Sequence, residues 1–210
     1  MFENVIKNLE RNNMNALAVE TASDALEYIR KTIPDGATVS NGGSVTLSEI
    51  GAIELLRKGN YNFLDRGAEG LTRDEIEEIF LKSFFADYYL MSSNAITEDG
   101  LLYNVDGNSN RVAALVYGPE NVIIVAGRNK IVKNIDEAIK RVKTVAAPKN
   151  CVRLNCTTYC NTKGECVCAD SNDFDGCDTD SRICCNYVIS SKQRKKGRIT
   201  VIIVNEDLGY

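Results

Sequence analysis

Apolar residues recur at three- and four-residue spacing near the start of the chain. Phe2, Val5, Ile6 and Leu9 share one face of a helix expected over residues 2–14, and Ala25, Leu26, Ile29 and Ile33 share the face of a second. Asn15–Glu20 between them, and Ala37-Thr38-Val39 after them, are short apolar runs of strand length. Thr46-Leu47-Ser48-Glu49 and Thr72-Arg73-Asp74-Glu75 both have the Thr-x-x-Glu form of a capping box, so each opens a helix. The first of these helices runs to about Lys58, and the second carries Ile76, Ile79, Phe80 and Phe84 on one face. Tyr61–Leu64, Asp87–Ser92, Leu101–Val105 and Asn121–Ala126 read as strands, with a helical stretch at Arg111–Tyr117. A further helix starts at Asn134 and is expected to stop at Pro148. Tyr187–Ser190 and Arg198–Val204 are strand-like and read as a β-hairpin whose tip carries Lys192, Arg194, Lys195 and Lys196. Strands alternating with helices predict an α/β fold with a largely parallel sheet.

The 210 residues suit one domain with an appendage, and 44% hydrophobic with 26% charged residues is ordinary for a folded chain. The formal charge of −4 argues against a general nucleic-acid partner. The absence of His excludes Ser-His-Asp and Cys-His nucleophile systems and any His-ligated metal. The N-terminal stretch has no apolar core of a secretory signal, and no run approaches the ~18 apolar residues of a membrane span, so a cytoplasmic location without a membrane span is expected. All eight Cys fall between Cys151 and Cys185. In a reducing compartment such clustering points to metal more than to disulfides, although a thiol or disulfide loop without metal is the competing reading. The organisation expected is an α/β domain over residues 1–150, a Cys-rich module over 151–185, and a C-terminal hairpin over 186–210 completing the α/β domain.

Two polar segments are candidates for ligand chemistry. Ser40-Asn41-Gly42-Gly43-Ser44 lies between a strand and a helix, where Asn41, Gly42 and Gly43 can turn backbone N–H groups toward an anion. It is neither a P-loop nor G-x-G-x-x-G, and an ordinary βα turn has the same composition. The stretch from Ser92 to Arg111 offers Asn94, Thr97, Asp106, Asn108, Asn110 and Arg111 at the strand ends, where open α/β sheets bind small molecules. Glu98-Asp99-Gly100 and Asp106-Gly107-Asn108 also read as tight turns. The two segments are expected to meet in one cleft, with Arg111 clamping a small anionic ligand.

The blocks Ser93-Asn94-Ala95-Ile96-Thr97-Glu98-Asp99-Gly100, Asn104-Val105-Asp106-Gly107-Asn108 and Asn110-Arg111-Val112-Ala113 resemble the LUD-domain family, named for lactate utilisation. So do Gly118-Pro119, Val125-Ala126-Gly127 with Asn129-Lys130, Ala147-Pro148-Lys149-Asn150, and the closing Glu206-Asp207-Leu208-Gly209-Tyr210. The resemblance implies a Rossmann-like fold of the NagB/RpiA/CoA-transferase kind. It also implies a place beside iron–sulfur partner proteins in lactate oxidation. The family's shorter Cys pattern is similar to Cys160, Cys166, Cys177 and Cys184, which implies that these four thiolates hold one metal centre, an iron–sulfur cluster or zinc; aerobic protein is expected to show zinc, disulfides or a disordered loop instead. Cys151, Cys156, Cys168 and Cys185 are additions to that pattern.

The expectation is therefore an accessory or redox component of lactate-type acid utilisation. The alternatives are an enzyme or sensor for a sugar phosphate, hydroxy acid or CoA-type molecule, with Asp106 or Glu49 as base, Arg111 as clamp and the Cys module purely structural, and an interaction module in which zinc is purely structural.

Overall fold

The protein is described here by a computed structural model covering residues 2–171 and 174–210; residues 172 and 173, inside the expected Cys-rich module, lie outside the described residues. Along the chain run α1 (Glu3–Arg11), β1 (Asn15–Val19), α2 (Ala22–Thr32), β2 (Thr38–Asn41), α3 (Val45–Glu49), α4 (Ala52–Lys58), β3 (Asn62–Leu64) and α5 (Arg73–Lys82). Then follow β4 (Tyr88–Met91), β5 (Ala95–Thr97), β6 (Leu102–Asp106), α6 (Asn110–Val116), β7 (Asn121–Gly127), β8 (Ile131–Val132) and α7 (Ile135–Arg141). The chain ends with α8 (Ala147–Arg153), α9 (Tyr159–Lys163), β9 (Asn186–Ser190) and β10 (Ile199–Val204).

A six-stranded, all-parallel sheet in the order β1-β10-β7-β4-β2-β3 forms the centre, giving the Rossmann-like α/β architecture that the alternating pattern predicts. One face is covered by α2, α3 and α4 through Ala25, Ile29, Leu47 and Leu56. The other carries Val5 and Leu9 of α1 and Leu115 of α6. A second sheet, β8-β5-β6-β9, stands on that face. Its side chains alternate as the two-residue strand period requires. Ile96 and Leu102 join the core under the main sheet, while Ala95, Tyr103 and Val105 face Ala138, Ile139 and Val142.

Three expectations need correction. The C-terminal strands do not form a hairpin. β9 pairs antiparallel with β6, and β10 enters the main sheet between β1 and β7. The reason is burial: Ile199, Val201, Ile202, Ile203 and Val204 are all inaccessible to solvent, which suits a central parallel strand, whereas β9 is half exposed. The basic connection between β9 and β10 is anchored at its far end. Arg198 donates to the carbonyls of Ala114 (2.9 Å), Leu115 (2.6 Å) and Pro119 (2.9 Å), closing the C-terminal end of α6, where a cation is favoured.

Pro148 does not end its helix. A proline removes one helical hydrogen bond and crowds the carbonyl four residues earlier. Here a π-helical turn, Val142–Ala146, immediately precedes α8 and accommodates the interruption, so the helix continues to Arg153 and takes Cys151 into the buried core. Finally, the helix after the Ser40–Ser44 loop starts earlier than its apparent capping box. Ser44 Oγ accepts from Leu47 N–H at 3.2 Å, and Gly51 at φ 79° separates α3 from α4. The capping box at Thr72 and Glu75 forms as predicted.

Replacing Arg198 by Met removes charge-assisted bonds to three carbonyls and is expected to destabilise the protein by about 2–3 kcal/mol, read as a lower denaturant midpoint at constant m-value.

Candidate functional site

The site is organised around Arg111, whose side chain is 12% exposed. One terminal nitrogen donates to Asn104 Oδ1 (2.7 Å) and Ser92 O (3.4 Å), the other to Val105 O (2.6 Å) and Asn94 Oδ1 (3.1 Å). Four donors are thus committed within the protein, and Nε faces Asp106 Oδ2 at 3.9 Å. Burial lowers the guanidinium's pKa, Asp106 opposes that shift, and an arginine stays charged regardless. Asp106 Oδ2 also accepts from the backbone N–H of Arg111 (3.0 Å) and Val112 (3.2 Å), so it caps α6 in place of Ser109, whose φ is 68°. Gly42 completes the arrangement. A Cβ there would lie 2.8 Å from both Cγ and Cδ of Arg111, so only glycine lets the β2 loop seat against it.

These contacts bring the two polar segments into one cleft of about 230 Å³ at the strand ends. Gly43, Asn94, Asp106, Asn108, Asn110 and Arg111 border it. Three other expected residues do not. Gly42 lies behind it, packed on Arg111. Asn41 is buried, its Nδ2 donating to Gly42 O at 3.1 Å. Thr97 is used in the β5–β6 turn, bonded to Asp99 and accepting from Leu101 N–H at 2.9 Å. Glu49 is engaged elsewhere too, accepting from Gly209 N–H at 2.6 Å.

Three cations border the cleft that the sequence reading did not select: Arg66, Lys130 and Arg153. Arg66 lies 4.7 Å over the Phe80 ring and, among the described residues, makes no hydrogen bond to protein, so its fork faces the cleft uncommitted. Arg153 Nε donates to Tyr210 Oη at 2.8 Å. Lys130 is 3% exposed, and its Nζ donates to Thr46 Oγ1 (2.8 Å) and Ser92 Oγ (3.0 Å). Burial, reinforced by the nearby charges of Arg141 and Arg111 and opposed by Glu49, lowers its pKa to about 7. Against three arginines and the Lys130 amine the lining offers one side-chain carboxylate, Asp106, already engaged by α6 and Arg111. The cleft is therefore built for an anion.

Behind it lies a smaller cavity of about 30 Å³ bordered by Cys151, Cys160, Cys166, Cys177 and Cys184. Cys166 N–H donates to Lys143 O (2.9 Å) and Lys143 Nζ donates to Cys168 O (2.9 Å), which anchors the segment to the π-helical turn. Arg182 gathers the far side through Cys184 O (2.8 Å) and Phe174 O (2.6 Å). Cys151 and Cys160 have their sulfurs 3.5 Å apart. Burial pushes the thiols of Cys151 and Cys184 up to about 12, and the neighbouring thiols add to the shift. Among the described residues, no three Cys, Asp or Glu side chains converge closely enough to hold a metal ion as they stand. Tyr103 Oη, at 1% exposure, borders this cavity and has no hydrogen-bond partner among the described residues. Val142, Ala147, Ile183 and Cys184 border both cavities and form the wall between them.

The family model of the LUD domain matches residues 2–204. The chain belongs to the LUD-domain family. Membership supports a role related to lactate utilisation. Comparison with curated proteins finds no match. Among solved structures, this LUD-domain chain is similar to a DUF162 family protein from Deinococcus radiodurans, at 15% identity and a TM-score of 0.46, over 97% of this chain and 93% of that one. Among the described residues of the LUD domain, no helix is long and apolar enough to cross a membrane.

Two outcomes follow from this geometry. Arg111→Met leaves four buried acceptors without their donor, so it is expected to destabilise the domain by about 3 kcal/mol or more in denaturant titration. The Lys130 amine titrates lower in the folded chain, near 7, than at its ordinary 10.5. Below pH 7 both states carry the proton and the folded chain bears the full cost of burying it. Between 7 and 10.5 only the unfolded chain holds the proton, so that cost shrinks as pH rises. The stability of the wild type relative to Lys130→Met is expected to improve steadily from pH 7 to pH 10 in parallel denaturation curves.

Proposed function

We propose that this LUD-domain protein is an accessory or redox component of lactate-type acid utilisation. It holds a small organic anion in the cationic cleft and a thiolate-bound metal centre behind it. The observation that carries this reading is the shared wall: an anion cleft and a thiol-lined cavity meet across Val142, Ala147, Ile183 and Cys184.

The cleft's size supports a small acid, since ~300–1,000 Å³ is usual for larger, drug-sized ligands and this one measures about 230 Å³. Arg66 is the group most able to meet a carboxylate, because Arg111 is committed to the scaffold and Arg153 keeps only one terminal nitrogen beside its bonds to Asn150 and Tyr210. Asn94 assists: its Oδ1 is taken by Val105 N–H (2.9 Å) and Arg111, while its Nδ2 has no protein acceptor among the described residues.

The thiols behind the wall are the donor type of a soft metal and would draw together to bind one, since no three donors among the described residues stand close enough now. Cys160, Cys166, Cys177 and Cys184 border the same cavity, and thiolates select zinc or iron–sulfur clusters over hard cations. Burial, then the sulfurs of Cys160 and Cys166, raise the Cys184 thiol pKa against the opposing charge of Arg182, and a bound metal would favour the thiolate. A cluster supplies one-electron transfer when bound, whereas zinc supplies only a staple. Iron–sulfur partner proteins are the natural electron acceptors for the first case.

Anaerobically purified, reduced protein is expected to carry close to one iron–sulfur or zinc centre per chain by metal analysis, with visible absorption marking the cluster. Lactate and pyruvate are expected to raise the melting temperature, and Arg66→Met to weaken that binding about tenfold without loss of stability. Protein with neither metal, and indifferent to both acids, would overturn the reading.

A further inference from the structure

Lys130 is a buried amine that the reading above does not use. Its Nζ has two acceptors, Thr46 Oγ1 at 2.8 Å and Ser92 Oγ at 3.0 Å. Both hydroxyls pass their own hydrogens onward, Thr46 to Leu208 O (3.3 Å) and Ser92 to Ser93 O (3.5 Å). Two acceptors are the complement of a neutral amine, which has two N–H donors and a lone pair. An ammonium's third N–H has no acceptor among the described residues, and no carboxylate pairs with it. Glu49 is the acid closest in effect, and its Oε2 is occupied by Gly209 N–H. Gly209, at φ 57°, runs past the amine without a side chain; a Cβ there would stand 3.2 Å from Nζ and 2.5 Å from Thr46 Oγ1. The lone pair therefore belongs to a lining amine that is both nucleophilic and desolvated, in a cleft whose arginines attract a carboxylate.

We propose that Lys130 captures the carbonyl carbon of a small 2-oxo acid, so that the cleft holds the keto form of its acid as an imine. The inference rests on the reading of the cleft as an organic-acid site and adds to it a choice of oxidation level and a covalent step. The nitrogen lone pair attacks the carbonyl carbon and forms the C–N bond. The carbonyl oxygen leaves as water, taking both amine hydrogens, and no electron transfer is involved. Thr46 and Ser92 hydroxyls touch the nitrogen and are placed to relay those protons. The near-neutral pKa caused by burial leaves a large share of the amine unprotonated at pH 8.

The test is borohydride reduction of the full-length protein at pH 8 with pyruvate, with lactate as the acid lacking a ketone. Adducts are mapped by peptide mass spectrometry, and melting temperature is measured alongside. The expected result is a pyruvate- and borohydride-dependent adduct on Lys130, approaching one per chain, absent with lactate and absent in Lys130→Arg. Mapping on the wild type keeps the test decisive even if the variant folds poorly. Stabilisation by pyruvate with no adduct at Lys130 overturns the imine and leaves the organic-acid cleft standing, with Lys130 as a charge anchor. Adducts spread over surface lysines, undiminished in Lys130→Arg, also overturn it. No stabilisation by either acid and no adduct overturns both.

Discussion

The cleft exists because one guanidinium is kept out of water. Arg111 gathers the end of β4, the start of β5, the length of β6 and the first turn of α6 onto a single planar fork. Desolvating that charge is costly, and the acceptors of Ser92, Asn94, Asn104 and Val105 offset the cost only when all four are in place. The arrangement is therefore close to all-or-none. Three of these groups, Ser92, Asn94 and Val105, also line the cleft that Arg66 and Arg153 border, so its electropositive character follows from how its scaffold is held together.

Local signals in the sequence were enough for the alternation of strands and helices, because a period of two or of three to four is written in neighbouring residues. The Thr72 capping box was legible for the same reason. Legibility failed where the deciding partner is far along the chain. Thr46 has the form of a cap, yet it bonds to Leu208 and Lys130. Asp106 and Arg111 were recognisable as candidate polar residues, but not that each would be engaged by the fold. Lys130 lies between Arg128-Asn129 and Ile131-Val132 with nothing adjacent to announce a buried amine, Arg66 falls between two elements, and Arg153 falls in the segment assigned to the Cys-rich module. The cysteine cluster was obvious from counting. Its closeness to the cleft was not, since it depends on a helix passing through Pro148 rather than stopping there.

That helix is the hinge of the architecture in a spatial sense. Its π-helical turn presents Val142 and Ala146 to the cleft, while Val142 and Lys143 border the thiol cavity. A regular α-helix turns 100° per residue and, interrupted by proline, gives one buried stripe. The wider turn rotates the following residues, so that Asn150 and Arg153 reach the cleft while Cys151 reaches the sulfur cavity. Polar and sulfur chemistry are thereby kept apart by side chains of one element.

The position of β10 bears on how the chain is made. β1 has no neighbour in the main sheet except β10, with Asn15 facing Thr200 and Val19 facing Val204. On a ribosome, β1 emerges long before β10 and must wait for the whole intervening stretch up to Ile199 before its backbone N–H and C=O groups find their partners. Over that interval its edge is exposed and open to mispairing with β7, whose vacant side awaits the same strand. Such long sequence separation slows closure of the sheet. A nascent chain arrested anywhere before residue 199 is left with two unmatched strand edges in the middle of what should be its core.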